Sequence, residues 1–160
     1  MQTHAAVEQI SRLLLGVPDL YNRLVLVVGP SASGKTAVLR ASAMQEQQPL
    51  INIGLELSRR LLELTERQRV LQLPGLLEEA VAGQGSDVVL LDNTDILFEP
   101  VLKQDPLRLL LGLSRNRTVI AGWLGTVEGA HLTHATPDHP EFRRYPASDL
   151  LLVLVGHDQA

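Results

Sequence analysis

Residues 29–36 of this sequence read GPSASGKT and match the pattern G-x-x-x-x-G-K-[ST] at every fixed position. An apolar, β-prone run at 24–28 precedes them, and residues 36–45 favour a helix. Glycines let successive backbone N–H groups of such a loop point inward, and the N-terminus of the following helix adds its positive dipole end. The sequence therefore predicts a binding site for the phosphate groups of a nucleotide.

The residue types in this loop favour ATP with magnesium. Lys35 places a positive charge near the β- and γ-phosphates, and the Thr36 hydroxyl is a suitable Mg²⁺ ligand. Neither Asn-Lys-x-Asp nor Thr-Lys-x-Asp, which would read guanine, occurs in the chain. A Gly- and Ser-rich turn with a solvated lysine is the alternative. The predicted ATP-binding residues are those of the loop and the helix start: Gly29, Pro30, Ser31, Ala32, Ser33, Gly34, Lys35, Thr36 and Ala37.

A second buried strand is predicted at 88–91, and it ends in Asp92. This is the form of a Walker B strand, whose carboxylate emerges at the C-terminal edge of the sheet beside the phosphates. An aspartate that only starts a turn or caps a helix is the alternative. We predict that Thr36 and Asp92 hold Mg²⁺.

The residue after Asp92 departs from the usual pattern, because many ATPases with a Walker B strand place a glutamate directly after its aspartate. Asn93 can orient a water molecule but cannot accept its proton. Asp95 and Glu99 are the nearest replacement carboxylates. We therefore predict slow hydrolysis, with Lys35, Asp92, Asn93 and Asp95 as catalytic residues.

Two arginine pairs could act on the γ-phosphate of a neighbouring subunit, as sites shared between subunits require. Arg143 and Arg144 precede the last strand and are the predicted catalytic pair, whereas Arg115 and Arg117 flank the end of a helix. Solvated surface arginines are the alternative for both pairs.

Further polar residues give weaker signals. Thr126 is the candidate sensor of the γ-phosphate by position, and Trp123 is expected to pack in the core. His131, His134 and His139 lie within nine positions, but their spacing in a proline-rich stretch without cysteine favours polar loop histidines over a metal site.

The order of apolar segments predicts a three-layer α/β fold with a parallel sheet. A chain of 160 residues fits one domain, 1–160, with a leading helix in 1–20 and a nucleotide-binding core at 24–155. A leucine stripe (57, 61, 62, 64) predicts one helix, Pro74 is expected to begin another, and 124–147 is expected to be irregular. Further strands are expected at 50–53, 118–121 and 150–155.

Composition excludes several classes of protein. Cysteine is absent, which excludes disulfide scaffolds and thiol catalysis. The net charge of −4 and the pI near 5.7 argue against strong DNA binding by the chain alone. No apolar run approaches the roughly 20 residues of a membrane span, and the N-terminus does not look like a signal peptide, so a cytoplasmic location is expected.

The order of these parts resembles the core of the AAA+ and related ASCE ATPases, without the helical lid. More specifically, residues 29–36, 51–62, 91–98 and 133–145 resemble the BrxF family, the small P-loop proteins of type III BREX phage-defence systems. The resemblance implies a cytoplasmic ATP-binding protein that works beside larger BREX components, including a DNA methyltransferase and a PglZ-type protein. It implies DNA contact only within such a complex.

The function predicted from these observations is that of an ATP-dependent, self-assembling switch subunit with weak ATPase activity. A small-molecule P-loop kinase is an alternative of suitable length, although its arginine-rich lid is not evident in the sequence. An interaction module with a degenerate nucleotide site is the third possibility, which Asn93 supports and Lys35 and Thr36 oppose.

Overall fold

The computed structural model describes residues 2–156. Its elements follow in the order α1 (Gln2–Gly16), β1 (Leu24–Gly29), α2 (Lys35–Glu46), β2 (Leu50–Asn52), α3 (Ile53–Leu61), α4 (Glu66–Ala82), β3 (Val88–Asp92), α5 (Pro106–Leu113), β4 (Thr118–Leu124), β5 (Thr126–Glu128), β6 (His131–His134), β7 (Arg143–Pro146) and β8 (Leu151–Leu154). Short 3₁₀ turns occupy Val17–Asp19, Thr94–Phe98 and Pro100–Leu102. Residues 1 and 157–160 of the predicted domain lie outside the described residues.

The central sheet has five parallel strands in the order β2-β3-β4-β1-β8. Strand β4 lies between β1, which leads into the glycine-rich loop, and β3, which ends in Asp92. Parallel strands end at one edge, so this order brings the loop and the carboxylate to the same side of the molecule.

Helices cover both faces of this sheet. Apolar residues of α1 and α2 pack with Val25, Val27 and Val153 on one face. Residues of α3, α4 and α5 pack with Leu26 and Leu91 on the other. The predicted three-layer α/β fold with a parallel sheet is confirmed. No helix follows β4 within residues 2–156, so this part of the chain contains no helical lid.

The prediction that Pro74 begins a helix is wrong, because α4 starts eight residues earlier, at Glu66. Thr65 and Gln68 form a reciprocal capping box there, with hydrogen bonds of 3.2 and 2.9 Å. Pro74 has no N–H to donate to the carbonyl of Val70. The side chain of Gln104 donates to that carbonyl instead, at 2.9 Å, and this contact accommodates the proline inside the helix.

We expect Gln104→Ala to lower the free energy of unfolding by about 1–2 kcal/mol, because the Val70 carbonyl loses its donor. In a Pro74→Ala background the helix supplies its own N–H, so the same substitution should cost clearly less. Urea unfolding of the four proteins of this double-mutant cycle measures the coupling. Equal costs in both backgrounds would contradict the compensation.

The prediction of an irregular segment at 124–147 is also wrong. Strands β5, β6 and β7 form an antiparallel sheet, paired through Thr126↔Thr133 and Leu132↔Tyr145. The strands have only three or four residues, which is too short for a clear alternating pattern. Leu132 is buried on one face of this sheet, and Thr133, which is also buried, pairs with exposed Arg144 on the other face.

The ends of β2 and α3 differ from the predicted ends. Asn52 accepts a hydrogen bond from the Leu55 N–H at 3.1 Å and so caps α3, which moves Ile53 from the strand into the helix. The helix ends at Leu61, so Leu62 lies 74% exposed and outside the predicted apolar stripe. Among residues 2–156, no helix combines the length and apolar character needed to cross a membrane.

Candidate functional site

A cleft of about 320 Å³ opens at the C-terminal edge of the sheet, between the glycine-rich loop and the ends of β3 and β4. It brings together five residues that the sequence singled out for chemistry: Lys35, Thr36, Asp92, Asn93 and Asp95. The other residues around it are Ser31, Ala32, Asn52, Thr94, Gly122 and Leu124.

The backbone of the loop explains its glycines. Gly34, at the N-cap of α2, has φ of +95°, a conformation that residues with a Cβ rarely adopt. At Gly29 a Cβ atom would lie 2.4 Å from Ser33 Oγ and 2.7 Å from the Val155 carbonyl oxygen. Both glycines of the motif are therefore required by the path of the chain around the site. Ala37 lies exposed in the first turn of α2, outside the residues that line the cleft.

Lys35 rests on the loop itself. Its Nζ donates hydrogen bonds to the carbonyl oxygens of Gly29 and Pro30, at 2.9 and 2.7 Å. Burial lowers the pKa of the Lys35 ammonium, and the carboxylates of Asp95 and Asp92 oppose this shift. A partly desolvated cation held over an anion-binding loop is well suited to bind phosphate.

Thr36 and Asp92 meet across the cleft, as predicted for a metal site. The Thr36 hydroxyl donates to Asp92 Oδ1 at 3.1 Å, and the Asn93 N–H donates to the same oxygen at 2.9 Å. A hydroxyl and a carboxylate are the hard oxygen ligands that Mg²⁺ prefers. These two side chains therefore fit a magnesium ion, which would neutralise charge on the β- and γ-phosphates.

Asn93 is held by a residue that sequence reasoning missed. Its backbone has φ of +58°, and its Nδ2 donates to Asn52 Oδ1 at 3.1 Å. A Cβ on Gly54 would lie 2.4 Å from Asn93 Nδ2, so the first turn of α3 touches the Asn93 side chain directly. Asn52 follows a short strand and gave no motif, so only the pairing of β2 with β3 shows that it belongs to the site.

We expect Gly54→Ala to displace the Asn93 side chain and to lower stability by about 1–3 kcal/mol, as overpacking does. Gly75→Ala is the matched control, since a Cβ there meets no atom within 4 Å. In the middle of α4 it should stabilise by about 0.5–1 kcal/mol. Thermal unfolding distinguishes the two variants, and a neutral Gly54→Ala would contradict the contact.

Thr94, directly after the Asp92–Asn93 pair, is a second residue of the cleft that sequence reasoning missed. It is 2% exposed, lines the cleft and donates through Oγ1 to the Gly122 carbonyl of β4. Thr126 lies instead on β5, where it contacts Thr133 and lines a neighbouring cavity. Glu99 also lies outside the cleft, whereas Asp95 lines it.

The structure places the candidate arginines differently. Arg143 and Arg144 lie on β7, outside the cleft. Arg143 donates to the Phe142 carbonyl at 3.0 Å, whereas Arg144 is exposed and contacts His131 at 3.2 Å. Arg117 is 8% exposed and ion-paired with Glu78, which removes it as a residue able to reach a neighbour.

The histidines do not form a group. His134 is buried on β6 at 3% exposure and is not the loop residue that was predicted. Within the part of the chain that the structure describes, no three His, Cys, Asp or Glu side chains could hold a metal ion together. Trp123 is fully buried, which confirms its predicted packing role.

The fold and the cleft together have the arrangement of a P-loop nucleotide-binding core. A scan against protein-family models finds no match, and a comparison with curated proteins finds none either.

Among solved structures, the replication initiator DnaA bound to AMPPCP and single-stranded DNA is similar at 15% identity and a TM-score of 0.47, over 92% of this chain and 44% of that one. AMPPCP-bound DnaA from Aquifex aeolicus has 14% identity and a TM-score of 0.43, with coverage of 92% and 44%. PCH-2 of C. elegans has 16% identity and a TM-score of 0.44, with coverage of 97% and 41%. The chain thus spans less than half of each, and at these values the similarity concerns general topology alone.

Proposed function

We propose that this protein binds ATP with Mg²⁺, hydrolyses it slowly and acts as a nucleotide-dependent, self-assembling switch subunit. The observation that carries the proposal is the convergence of Lys35, Thr36 and Asp92 in one cleft. The Lys35 ammonium would bind the β- and γ-phosphates, and the Thr36–Asp92 pair would hold the metal ion.

Slow hydrolysis follows from the group next to Asp92. Asn93 donates its amide N–H to Asn52, and its Oδ1 has no hydrogen-bond partner within residues 2–156. This oxygen could accept a hydrogen bond from water but could not take its proton. General-base catalysis contributes about 10²–10⁴-fold to a rate. Asp95 is the carboxylate in the cleft that could supply part of it, so turnover below about 1 s⁻¹ is expected.

Self-assembly is supported by the balance of charge in the cleft. Among the described residues that line it, Lys35 is the one cationic side chain, against Asp92 and Asp95. A γ-phosphate in this cleft would need cationic groups from elsewhere, which Mg²⁺ and an arginine of a second copy could supply. Of the two predicted arginines, exposed Arg144 is better placed for this role than Arg143.

The resemblance to the BrxF family supports a place for this switch in a type III BREX anti-phage system, in the cytoplasm. Its partners would be the larger BREX components, such as the methyltransferase and the PglZ-type protein. DNA would be contacted only within that complex, because the chain itself is acidic, with a pI near 5.7.

Light scattering without nucleotide, with ADP–Mg²⁺ and with a non-hydrolysable ATP analogue tests the proposal. The mass is expected to rise with the ATP analogue alone, and Lys35→Ala should abolish the rise. Arg143→Ala/Arg144→Ala should also abolish it, whereas the control Arg67→Ala, at an exposed arginine of α4, should not.

A protein that binds ATP but stays monomeric would overturn self-assembly and favour a small-molecule kinase, to be tested with phosphate acceptors. A protein that binds no nucleotide would favour the interaction module.

A further inference from the structure

The end of β4 is attached to the phosphate loop. Leu124 lines the cleft, and the N–H of Gly125 donates to the Gly29 carbonyl oxygen at 3.1 Å. The same oxygen accepts the hydrogen bond of Lys35 Nζ at 2.9 Å. A shift of the chain at 124–125 would therefore change the surroundings of the lysine that binds phosphate.

His134 contacts this segment from behind the cleft. It is 3% exposed, and its Nδ1 is hydrogen-bonded to the Leu124 carbonyl oxygen. Its ring stacks on Phe98, with ring centroids 3.7 Å apart and an interplanar angle of 22°. Phe98 ends the 3₁₀ turn that begins directly after Asn93. One buried side chain thus touches both the end of β4 and the turn that follows the Walker B strand.

The chemistry of these contacts sets the orientation of the ring. A carbonyl oxygen only accepts hydrogen bonds, so Nδ1 of His134 carries a proton. Nε2 lies 3.2 Å from Glu141 Oε1. Both ring nitrogens are therefore occupied, while the ring itself lies outside the group of residues that line the cleft.

We infer that His134 is a positioning residue for the phosphate site, which holds 124–125 against the loop through its Nδ1–H. The effect of His134 on nucleotide binding rests on the proposed function. The residue would favour ATP over ADP, because Leu124 lines the same cleft as Thr36 and Asp92, where the γ-phosphate would lie.

Two substitutions separate the contacts of the ring. In His134→Asn the amide nitrogen lies near the place of Nδ1, so the donor to Leu124 is kept and the contact with Glu141 is lost. In His134→Gln the amide nitrogen lies near the place of Nε2, so the contact with Glu141 is kept and the donor to Leu124 is lost. Both variants lose the stacking on Phe98, so a merely structural role would affect them alike.

The first readout is hydrogen exchange of the Gly125 amide in the protein without nucleotide. We expect exchange about 10-fold faster in His134→Gln than in His134→Asn, the effect of one lost hydrogen bond. The second readout is a fluorescent-nucleotide titration. It should show affinity for the ATP analogue about 10-fold weaker in His134→Gln, with ADP affinity changed less.

Equal behaviour of the two variants, or losses that only follow their melting temperatures, would overturn the inference. Should either fail to fold, Glu141→Ala is the second test, because the ring then keeps only its Nδ1 hydrogen bond and its stacking on Phe98. We expect about 3-fold faster Gly125 exchange there, and an unchanged rate would also overturn the inference. If the wild type binds no nucleotide, the proposed function fails, while the exchange readout still tests the positioning role.

Discussion

Replacing Lys35 by methionine is expected to weaken ATP binding by at least about 100-fold, because charge-assisted hydrogen bonds to phosphate are lost from a partly desolvated site. Methionine keeps most of the length of the side chain and removes its charge. Trp123, the single tryptophan of the chain, lies beside the cleft on β4 and gives an intrinsic fluorescence signal for the titration. Lys103→Met is the matched control, since this exposed residue is the only other lysine and lies outside the cleft.

The same variant should melt at a higher temperature than the wild type when no nucleotide is present. Burial lowers the pKa of Lys35, so the folded state disfavours the charged lysine relative to the unfolded chain. Between the lowered pKa and the ordinary value near 10.4, the unfolded chain binds more protons and wild-type stability rises with pH. The advantage of Lys35→Met should therefore shrink as the pH rises through the lowered pKa towards about 10. An advantage that grows with pH would contradict the direction of the shift.

Asn93→Glu is expected to raise the ATP turnover of the protein by about 100-fold, because it places a general base next to Asp92. A steady-state assay of phosphate release measures the change, and nucleotide affinity should be little affected.

Two further substitutions keep this result interpretable. Asn116→Glu adds the same charge at an exposed asparagine outside the cleft and should leave turnover unchanged. Asn93→Glu/Asp92→Asn should lose the gain, because the carboxylate proposed to hold Mg²⁺ is removed. A turnover that stays at the wild-type rate in Asn93→Glu would show that the missing carboxylate does not limit hydrolysis.

Local patterns in the chain were sufficient for the main elements of the fold and for the phosphate loop. The buried parallel strands are nearly continuous apolar runs, and a loop with two conformationally required glycines, Gly29 and Gly34, can be recognised from residue order. The same holds for Asp92, because a carboxylate that ends a buried strand interrupts an apolar run. These features depend on neighbours close in sequence, which is why periodicity and motif spacing are enough to predict them.

Local sequence patterns did not predict the contacts between segments that are distant in the chain. Pro74 lies inside a helix because Gln104, thirty positions later, donates to the Val70 carbonyl. Leu132 of the small antiparallel sheet packs in the same buried apolar cluster as Trp123. The strands of this sheet are too short to show an alternating apolar pattern in the sequence. In each case a hydrogen bond or a buried side chain overrides the local preference of the chain.

The amino-acid sequence by itself determined that the chain has a glycine-rich loop of the G-x-x-x-x-G-K-[ST] form and a strand that ends in an aspartate, since both are local arrangements of backbone and charge. Only the tertiary structure decided which other side chains surround them. Asn52 and Thr94 belong to the cleft, and Arg143 and Arg144 lie outside it, because strand order and register determine which loops meet. The physical reason is that the edge of a parallel sheet collects residues from segments far apart in the chain, and sequence spacing carries no record of that geometry.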